Sequence, residues 1–156
     1  MAEEIQDNAG VVAPPPLIYG GPLVVGLLIQ MVFPIAFLPR EVAWIIGASL
    51  IGLAFSIAVP AFMTMNRART TIRVEKPTTA LVVTGPFRYT RNPIYLSLTM
   101  LYVGIATFAN ALAPILLLPG VLWIMNRGVI AREERYLEQK FGEAYRHYKA
   151  RVRRWL

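Results

Sequence analysis

The sequence contains no cysteine and a single histidine, His147. The absence of cysteine excludes disulfide bonds, thiolate metal sites, a cysteine nucleophile and prenylation or palmitoylation of this chain. His147 lies in a polar helical segment, where a solvated surface residue is the simplest interpretation. Charge is also scarce, since 16% of the residues are charged and 56% are hydrophobic. This composition is typical of a membrane protein.

Three long stretches carry no charge, at residues 17–39, 42–66 and 92–126. As one helix, the 35 residues of the third stretch would run roughly 50 Å, which exceeds a hydrocarbon core of about 30 Å. We therefore expect the chain to reverse inside this stretch, near Asn110 and Pro114.

The sequence thus predicts an all-α integral membrane protein with four transmembrane helices and a C-terminal amphipathic helix. The expected spans are residues 17–38, 42–63, 93–109 and 111–128. Residues 1–16 contain three acidic residues and three consecutive prolines, so a flexible tail is expected there. Residues 17–156 are expected to form a single membrane domain.

The 16 basic residues are distributed unevenly: one lies in the first turn, six in the second loop and nine after the last span. Four spans place the second loop and both termini on one side, and the positive-inside rule makes that side cytoplasmic. We therefore expect both termini in the cytoplasm and the protein in a bacterial or archaeal inner membrane. Membrane lipids with anionic head groups account for the basic excess, and nucleic acid is not needed as a partner.

A basic segment with the sequence GPFRYTRNPIY covers residues 85–95, just before the third span. Asn92 followed by Pro93 is typical of a helix N-cap and the first helical position. The N–H groups at such a helix start, with Arg88 and Arg91 beside them, favour a carboxylate or a phosphate. An interfacial belt of snorkelling and aromatic side chains would use the same residue types.

Apolar residues recur three or four positions apart after the fourth span. They are Ile130, Leu137, Phe141, Tyr145, Tyr148, Val152 and Trp155. This spacing predicts a basic amphipathic helix over residues 130–155, bent or interrupted at Phe141 and Gly142.

Glu133 and Glu134 stand where the last span leaves the bilayer. Acidic residues at a membrane edge are candidates for function, because an unpaired carboxylate is costly there. A salt bridge to Arg91, Arg127 or Arg132 is the structural alternative. Because the expected hairpin returns the chain to the side where it entered, Arg91 and Glu134 can face one site.

The segments at residues 85–95 and 132–156, separated by the apolar hairpin, resemble the isoprenylcysteine carboxyl methyltransferase family. That family is similar to the phospholipid methyltransferases in this region, and the resemblance covers roughly residues 81–156. It implies an integral membrane enzyme that transfers a methyl group from S-adenosylmethionine to a lipophilic acceptor. The family usually has Arg-His-Pro where this chain has Arg91-Asn92-Pro93, and asparagine cannot titrate near neutral pH as imidazole does.

The resemblance implies a cofactor pocket at the cytoplasmic end of the third and fourth spans. Arg91 and the helix start suit the carboxylate of S-adenosylmethionine, and Glu133 or Glu134 suits its ammonium group or ribose hydroxyls. Tyr89, Tyr95 and residues 81–83 are candidates to enclose the adenine. The predicted cofactor-binding residues are Val83, Gly85, Arg88, Tyr89, Arg91, Asn92, Pro93, Tyr95, Glu133 and Glu134.

Arg127 and Glu133 are the predicted catalytic residues. Arg127 suits an electrostatic guide for an anionic acceptor, and interfacial anchoring is the alternative. The preferred acceptor is a carboxylate such as that of a prenylated cysteine or a related lipid; phospholipids and small thiols are alternatives.

Two other classes of protein remain open. A membrane reductase that uses NADPH would show an enlarged phosphate site built from Arg88, Arg91 and Arg127. A non-enzymatic four-helix transporter or scaffold predicts a charged residue in the middle of a span, and the expected spans have none there.

Overall fold

The computed structural model describes residues 9–70 and 78–156. Within these residues the regular elements are all helical, which confirms the predicted all-α class. The helices are α1 (Pro15–Val32), α2 (Arg40–Arg67), α3 (Pro93–Phe108), α4 (Leu112–Ile124), α5 (Ala131–Phe141) and α6 (Glu143–Arg151). A 3₁₀ turn at Gly85–Arg88 precedes α3, and a π-helical segment at Met125–Ile130 joins α4 to α5.

Within the described ranges, three helices are long and apolar enough to cross a membrane: α1, α2 and the continuous helix Leu112–Phe141. They make the chain an integral membrane protein. The first span ends at Val32 instead of residue 38, because a residue that precedes proline disfavours the helical conformation and Pro34 follows Phe33. The second continues to Arg67 beyond the predicted residue 63. Helix α3 is apolar but has 16 residues, about 24 Å of helix against a hydrocarbon core of about 30 Å.

Helix α3 packs against α2, and α4 packs against α1. Glycine makes both contacts possible, because a small residue lets two helix backbones approach closely. A Cβ atom on Gly47 would lie 2.5 Å from the backbone nitrogen of Phe108, and one on Gly26 would lie 2.7 Å from the backbone of Pro114. Any larger side chain at these two positions would therefore push the helix pairs apart.

The buried core lies between α1, α3 and the π-helical segment. It includes Tyr19, Tyr102, Met125 and Val129. The hydroxyl of Tyr102 donates to the carbonyl oxygen of Pro114 at 2.8 Å, so α3 and α4 are also joined by a buried hydrogen bond.

The chain reverses at Asn110, as predicted. Asn110 has a φ of +51° between α3 and α4, a conformation that asparagine adopts more readily than most residues. Its Oδ1 accepts from the backbone nitrogens of Phe37 and Leu38 at 3.1 Å each, and its Nδ2 donates to the carbonyl oxygen of Leu38 at 2.7 Å. The reversal is thereby tied to the loop that joins α1 to α2.

The predicted single helix over residues 130–155 is two helices followed by an extended segment. Gly142, with a φ of +52°, separates α5 from α6, so the predicted interruption at this glycine is confirmed. The helix ends at Arg151 rather than at 155. The last residues then run beside the start of α3, where the nitrogen of Arg91 donates to the carbonyl oxygen of Arg153 at 2.9 Å.

The N-terminal segment differs from the expected flexible tail from residue 9 onward. The nitrogen of Val12 donates to the carbonyl oxygen of Gly128 at 3.3 Å, and Arg132 Nη1 donates to the carbonyl oxygen of Gly10 at 2.6 Å. Helix α1 already begins at Pro15, because proline is well suited to the first helical position. Residues 1–8 of the predicted tail lie outside the described residues.

Candidate functional site

A cavity of about 430 Å³ lies at the end of the bundle where α2 ends and α3 begins. Its walls come from the N-terminal segment, the end of α2, residues 78–82, the start of α3, and helices α5 and α6. The described part of the lining is mostly apolar and aromatic, and its charged residues are Arg91, Glu133 and Glu134. This combination of size, apolar walls and few polar groups is typical of a small-molecule site.

Arg91 has a nearly buried side chain at the head of α3, where 10% of it is exposed. Its Nη2 contacts Glu134 Oε1 at 3.2 Å. Its Nε and Nη1 atoms are also buried, and neither has a hydrogen-bond partner within residues 9–70 and 78–156. Since a buried donor without a partner is costly, two donors left open beside a cavity are suited to an anionic ligand.

Glu134 is buried and faces two arginines. Arg154 donates to both of its carboxylate oxygens, from Nε at 3.0 Å and from Nη2 at 2.6 Å. Arg91 contacts the same carboxylate, so the salt bridge considered for Glu134 is present. Arg91, Arg154 and Glu134 together therefore carry a net positive charge.

Glu133 lines the cavity beside Glu134 but has different partners. Its Oε2 accepts a hydrogen bond from the hydroxyl of Tyr95 at 2.8 Å. Tyr95 lies one turn into α3, and its carbonyl oxygen accepts from Thr99 Oγ1 at 2.9 Å. A carboxylate is therefore held at the cavity wall by a neutral donor and not by an arginine.

Tyr145 and Tyr148 form an aromatic wall of the cavity. Their rings meet edge to face, with centroids 6.2 Å apart. The hydroxyl of Tyr148 donates to the carbonyl oxygen of Phe87 at 2.7 Å, which attaches α6 to the 3₁₀ turn. Burial and the nearby charge of Glu134 raise the pKa of Tyr145 to about 12, so its phenol stays neutral at physiological pH.

Comparison with known proteins adds to this geometry. The family model for phospholipid methyltransferases matches residues 42–144. The chain belongs to that family. An uncharacterized protein of Haemophilus influenzae is 45% identical over 64 residues, which is 40% of this chain and the whole of that protein. No solved structure matches the chain.

Membership in the phospholipid methyltransferase family confirms the resemblance seen in the sequence. It makes the chain a membrane methyltransferase, and members of this family generally use S-adenosylmethionine. The match includes α2, α3, α4 and α5, so the cavity described above lies largely within the matched region.

The structure brings six of the ten residues predicted to bind a cofactor to the cavity wall. They are Arg91, Asn92, Pro93, Tyr95, Glu133 and Glu134. Asn92 occupies the predicted N-cap position, but its side chain does not cap the helix. Its Nδ2 instead donates to the carbonyl oxygen of Arg154 at 2.8 Å, so Asn92 links α3 to the C-terminal segment.

The other predicted residues lie outside the cavity lining: Val83, Gly85, Arg88, Tyr89 and the proposed acceptor guide Arg127. The 3₁₀ turn explains two of them, because it buries Phe87 and leaves its neighbours Arg88 and Tyr89 exposed. Tyr89 is 75% exposed. Of residues 81–83, Leu81 and Val82 line the cavity and Val83 does not.

Sequence reasoning missed several residues of the cavity. Tyr145 and Tyr148 belong to the apolar stripe of the predicted amphipathic helix, and their three-residue spacing is the signal that places them on one helix face. Pro14, Pro15 and Pro16 also line the cavity. Arg154 stands in a basic run, so nothing in the sequence distinguishes it from its neighbours.

Proposed function

We propose that this chain transfers a methyl group from S-adenosylmethionine to a lipophilic acceptor that enters from the bilayer. One observation carries the cofactor assignment: Arg91, which has two buried nitrogens without a partner among the described residues, lines a cavity that also holds the carboxylate of Glu133. A cationic group and an acid on one wall suit a zwitterion. The membership of the chain in a membrane methyltransferase family supports the same assignment.

The residues present fit S-adenosylmethionine. Nε and Nη1 of Arg91 would hold its carboxylate, and Glu133 would hold its ammonium group or the ribose hydroxyls. Glu134 would act by orienting Arg91, because both of its oxygens already accept hydrogen bonds from Arg154. Phe87, Tyr145 and the apolar segment at Leu81 and Val82 would enclose the adenine, and they line the same cavity.

S-adenosylmethionine supplies an electrophilic methyl group on a sulfonium, so it needs a nucleophilic acceptor in line with that bond. The contribution of this chain is to position the two reactants and to exclude water, which together account for much of the rate in such displacements. The predominantly apolar lining favours the exclusion of water. Arg127 is exposed and outside the cavity lining, so we assign it an interfacial anchoring role.

The acceptor that we propose first is a lipid carboxylate, such as that of a prenylated cysteine. A carboxylate is already ionised at neutral pH, so no base is required, which suits a chain with Asn92 where imidazole is usual. A lipid amine is the second candidate, because the family is named for phospholipids. Phe62, Met65 and Leu98 line the cavity from α2 and α3, and their apolar side chains suit either lipid.

We further propose that residues 17–156 form one domain with four spans and with both termini in the cytoplasm. Support comes from the ion pair between Arg91 before α3 and Glu134 after α4, which requires both ends of this hairpin to lie on one side. The short α3 would then cross next to α2, where the two helices pack along each other.

A membrane reductase that uses NADPH is less well supported. Its expected phosphate site required Arg88, Arg91 and Arg127 together, whereas Arg88 and Arg127 are exposed and outside the cavity lining. The cavity therefore offers one of these three arginines to a ligand, with Arg154 paired to Glu134.

Titration calorimetry of the detergent-solubilised protein tests the cofactor. We expect S-adenosylmethionine and S-adenosylhomocysteine to bind and NADPH not to bind. Arg88→Ala and Arg127→Ala should keep the affinity of the unsubstituted protein for S-adenosylmethionine. Binding of NADPH that is lost in these two variants would contradict the proposal in favour of the reductase.

The acceptor is tested by transfer of labelled methyl from S-adenosylmethionine in vesicles. One set of vesicles contains a prenylated cysteine with a free carboxylate, and the other contains phosphatidylethanolamine. Label in the first lipid alone supports the carboxylate, and label in the second alone supports the amine. Absence of label in both, from protein that binds the cofactor, would rule out both acceptor classes.

A further inference from the structure

We propose that Arg154 is a positioning residue that keeps the Arg91 end of the cavity cationic, so that Arg91 can bind a carboxylate. This inference rests on the proposed function, because the carboxylate in question is that of S-adenosylmethionine. Arg154 itself is outside the cavity lining, and it acts through Glu134.

The geometry of the three charged groups is unequal. Arg154 reaches both oxygens of Glu134, from Nε at 3.0 Å and from Nη2 at 2.6 Å. Arg91 reaches one oxygen, at 3.2 Å from Nη2. Paired hydrogen bonds from one guanidinium to both carboxylate oxygens are the stronger arrangement. Glu134 is therefore held mainly by Arg154, and Arg91 keeps Nε and Nη1 without partners within the described residues.

The net charge of Arg91, Arg154 and Glu134 also favours the binding of a carboxylate by Arg91. Arg91, Arg154 and Glu134 together carry a charge of +1, and their side chains are 10%, 38% and 9% exposed. Glu133 lines the same cavity, and its described hydrogen bond is to Tyr95. Without Arg154, Arg91 and Glu134 would form a neutral pair. A neutral pair attracts an incoming carboxylate less than a cationic cluster does, and the partial exposure of Arg154 lets solvent screen part of that difference.

The C-terminal segment holds Arg154 in place through its backbone. The carbonyl oxygen of Arg154 accepts from Asn92 Nδ2 at 2.8 Å and from Thr90 Oγ1 at 3.1 Å. The neighbouring Trp155 donates from Nε1 to Asn126 Oδ1 at 3.2 Å. These contacts do not involve the guanidinium, so Arg154→Gln removes the charge and leaves the segment attached beside α3.

The test is a charge cycle measured by titration calorimetry with S-adenosylhomocysteine and with 5′-methylthioadenosine, which lacks the amino acid part. Arg154→Gln lowers the cluster charge from +1 to 0, counted from the same three residues. We expect it to weaken S-adenosylhomocysteine binding by roughly tenfold, the effect of about one charge-assisted hydrogen bond, and to leave 5′-methylthioadenosine binding unchanged. The double variant Glu134→Gln with Arg154→Gln returns the charge to +1 through Arg91 alone and should restore most of the affinity.

A purely structural role for Arg154 gives a different result. In that case Arg154→Gln would weaken both ligands equally and the double variant would not recover, which would overturn the inference. Equal affinity of Arg154→Gln and the unsubstituted protein for S-adenosylhomocysteine would also overturn it. Arg151→Gln is the matched control, because Arg151 is an exposed arginine at the end of α6, next to the C-terminal segment; it should not change either affinity.

Failure of the proposed function is distinguishable from failure of this inference. If the unsubstituted protein binds neither ligand, the cofactor assignment is wrong and the role of Arg154 falls with it. Thermal unfolding of each variant, followed in the same detergent, is expected to show a folded protein in every case. An unfolded Arg154→Gln variant would assign the ion pair to stability and overturn the inference.

Discussion

The two ends of the α3–α4 hairpin are both polar, yet they use their polar groups differently. At the reversal, both the oxygen and the nitrogen of the Asn110 side chain form hydrogen bonds with the backbone of residues 37 and 38. At the open end, one guanidinium nitrogen of Arg91 contacts Glu134, and the other two are buried without partners among the described residues. Hydrogen bonds that are completed within the fold stabilise it, whereas donors left open beside a cavity are available to a ligand.

This comparison assigns stability to one end and binding to the other. The hairpin joins both ends through α3, whose packing against α2 depends on Gly47 beside Phe108. Substitutions at the two ends should therefore separate into two classes, one that changes the midpoint of thermal unfolding and one that changes affinity for the cofactor.

The largest effect is expected at Arg91. Arg91→Ala removes the open donors, and since a hydrogen bond to a charged group contributes about 1.5 to 3 kcal/mol, affinity for S-adenosylmethionine should fall by at least about tenfold. Arg91→Lys keeps the charge but loses the planar fork, so an intermediate affinity is expected. Titration calorimetry measures both, with Arg151→Ala as the exposed control. Equal losses in Arg91→Ala and Arg151→Ala would show that general basicity matters and not this site.

The next effect, on stability and not on affinity, is expected at Asn110. Asn110→Gly removes three hydrogen bonds to residues 37 and 38 while glycine still tolerates the φ of +51°. Each bond contributes about 0.5 to 1.5 kcal/mol, so the midpoint of thermal unfolding should fall while cofactor affinity per folded molecule stays constant. Asn110→Ala should be less stable still, because alanine is strained at positive φ. A loss of affinity in the folded variant would mean that the two ends are not independent.

The smallest effect is expected at the bond between Tyr95 and Glu133. Tyr95→Phe removes the hydroxyl that donates to Glu133 Oε2 at 2.8 Å, but keeps the ring and the charge of the acid. Affinity for S-adenosylmethionine should change by about a few-fold, because the hydroxyl orients Glu133 and does not itself hold the cofactor. Glu133→Gln should lower the affinity for S-adenosylmethionine more than Tyr95→Phe does in the same titration. The reverse order would place the cofactor contact on the tyrosine.

The sequence predicted the site at the level of segments better than at the level of side chains. It gave the helix start at Pro93, the reversal at Asn110 and the meeting of Arg91 with Glu134 correctly. Each of these follows from local conformational preference or from the requirement that an apolar hairpin returns to one membrane surface. The exposed positions of Arg88 and Tyr89 were not predicted, because the 3₁₀ turn sets their direction.

The hydrogen-bond partners of individual side chains could not be predicted from the sequence either. Asn92 has the residue type and the position of an N-cap, yet its amide bonds to Arg154 across the fold. Three of the last six residues are arginines, and the sequence does not distinguish which of them pairs with Glu134. The choice of Arg154 as the partner of Glu134 depends on contacts between segments that are 20 residues apart.

A helical membrane protein with a basic and an acidic segment on one side follows from the sequence alone, because long uncharged stretches have few other stable arrangements in a membrane. Which charges are matched depends on how the helices pack. In the folded protein, Glu134 is paired with two arginines and Glu133 accepts a hydrogen bond from a tyrosine. Arg91 has two buried donors without partners among the described residues. Composition fixes where a chain can be buried, but the pairing of buried charges depends on distances that arise when distant segments pack together.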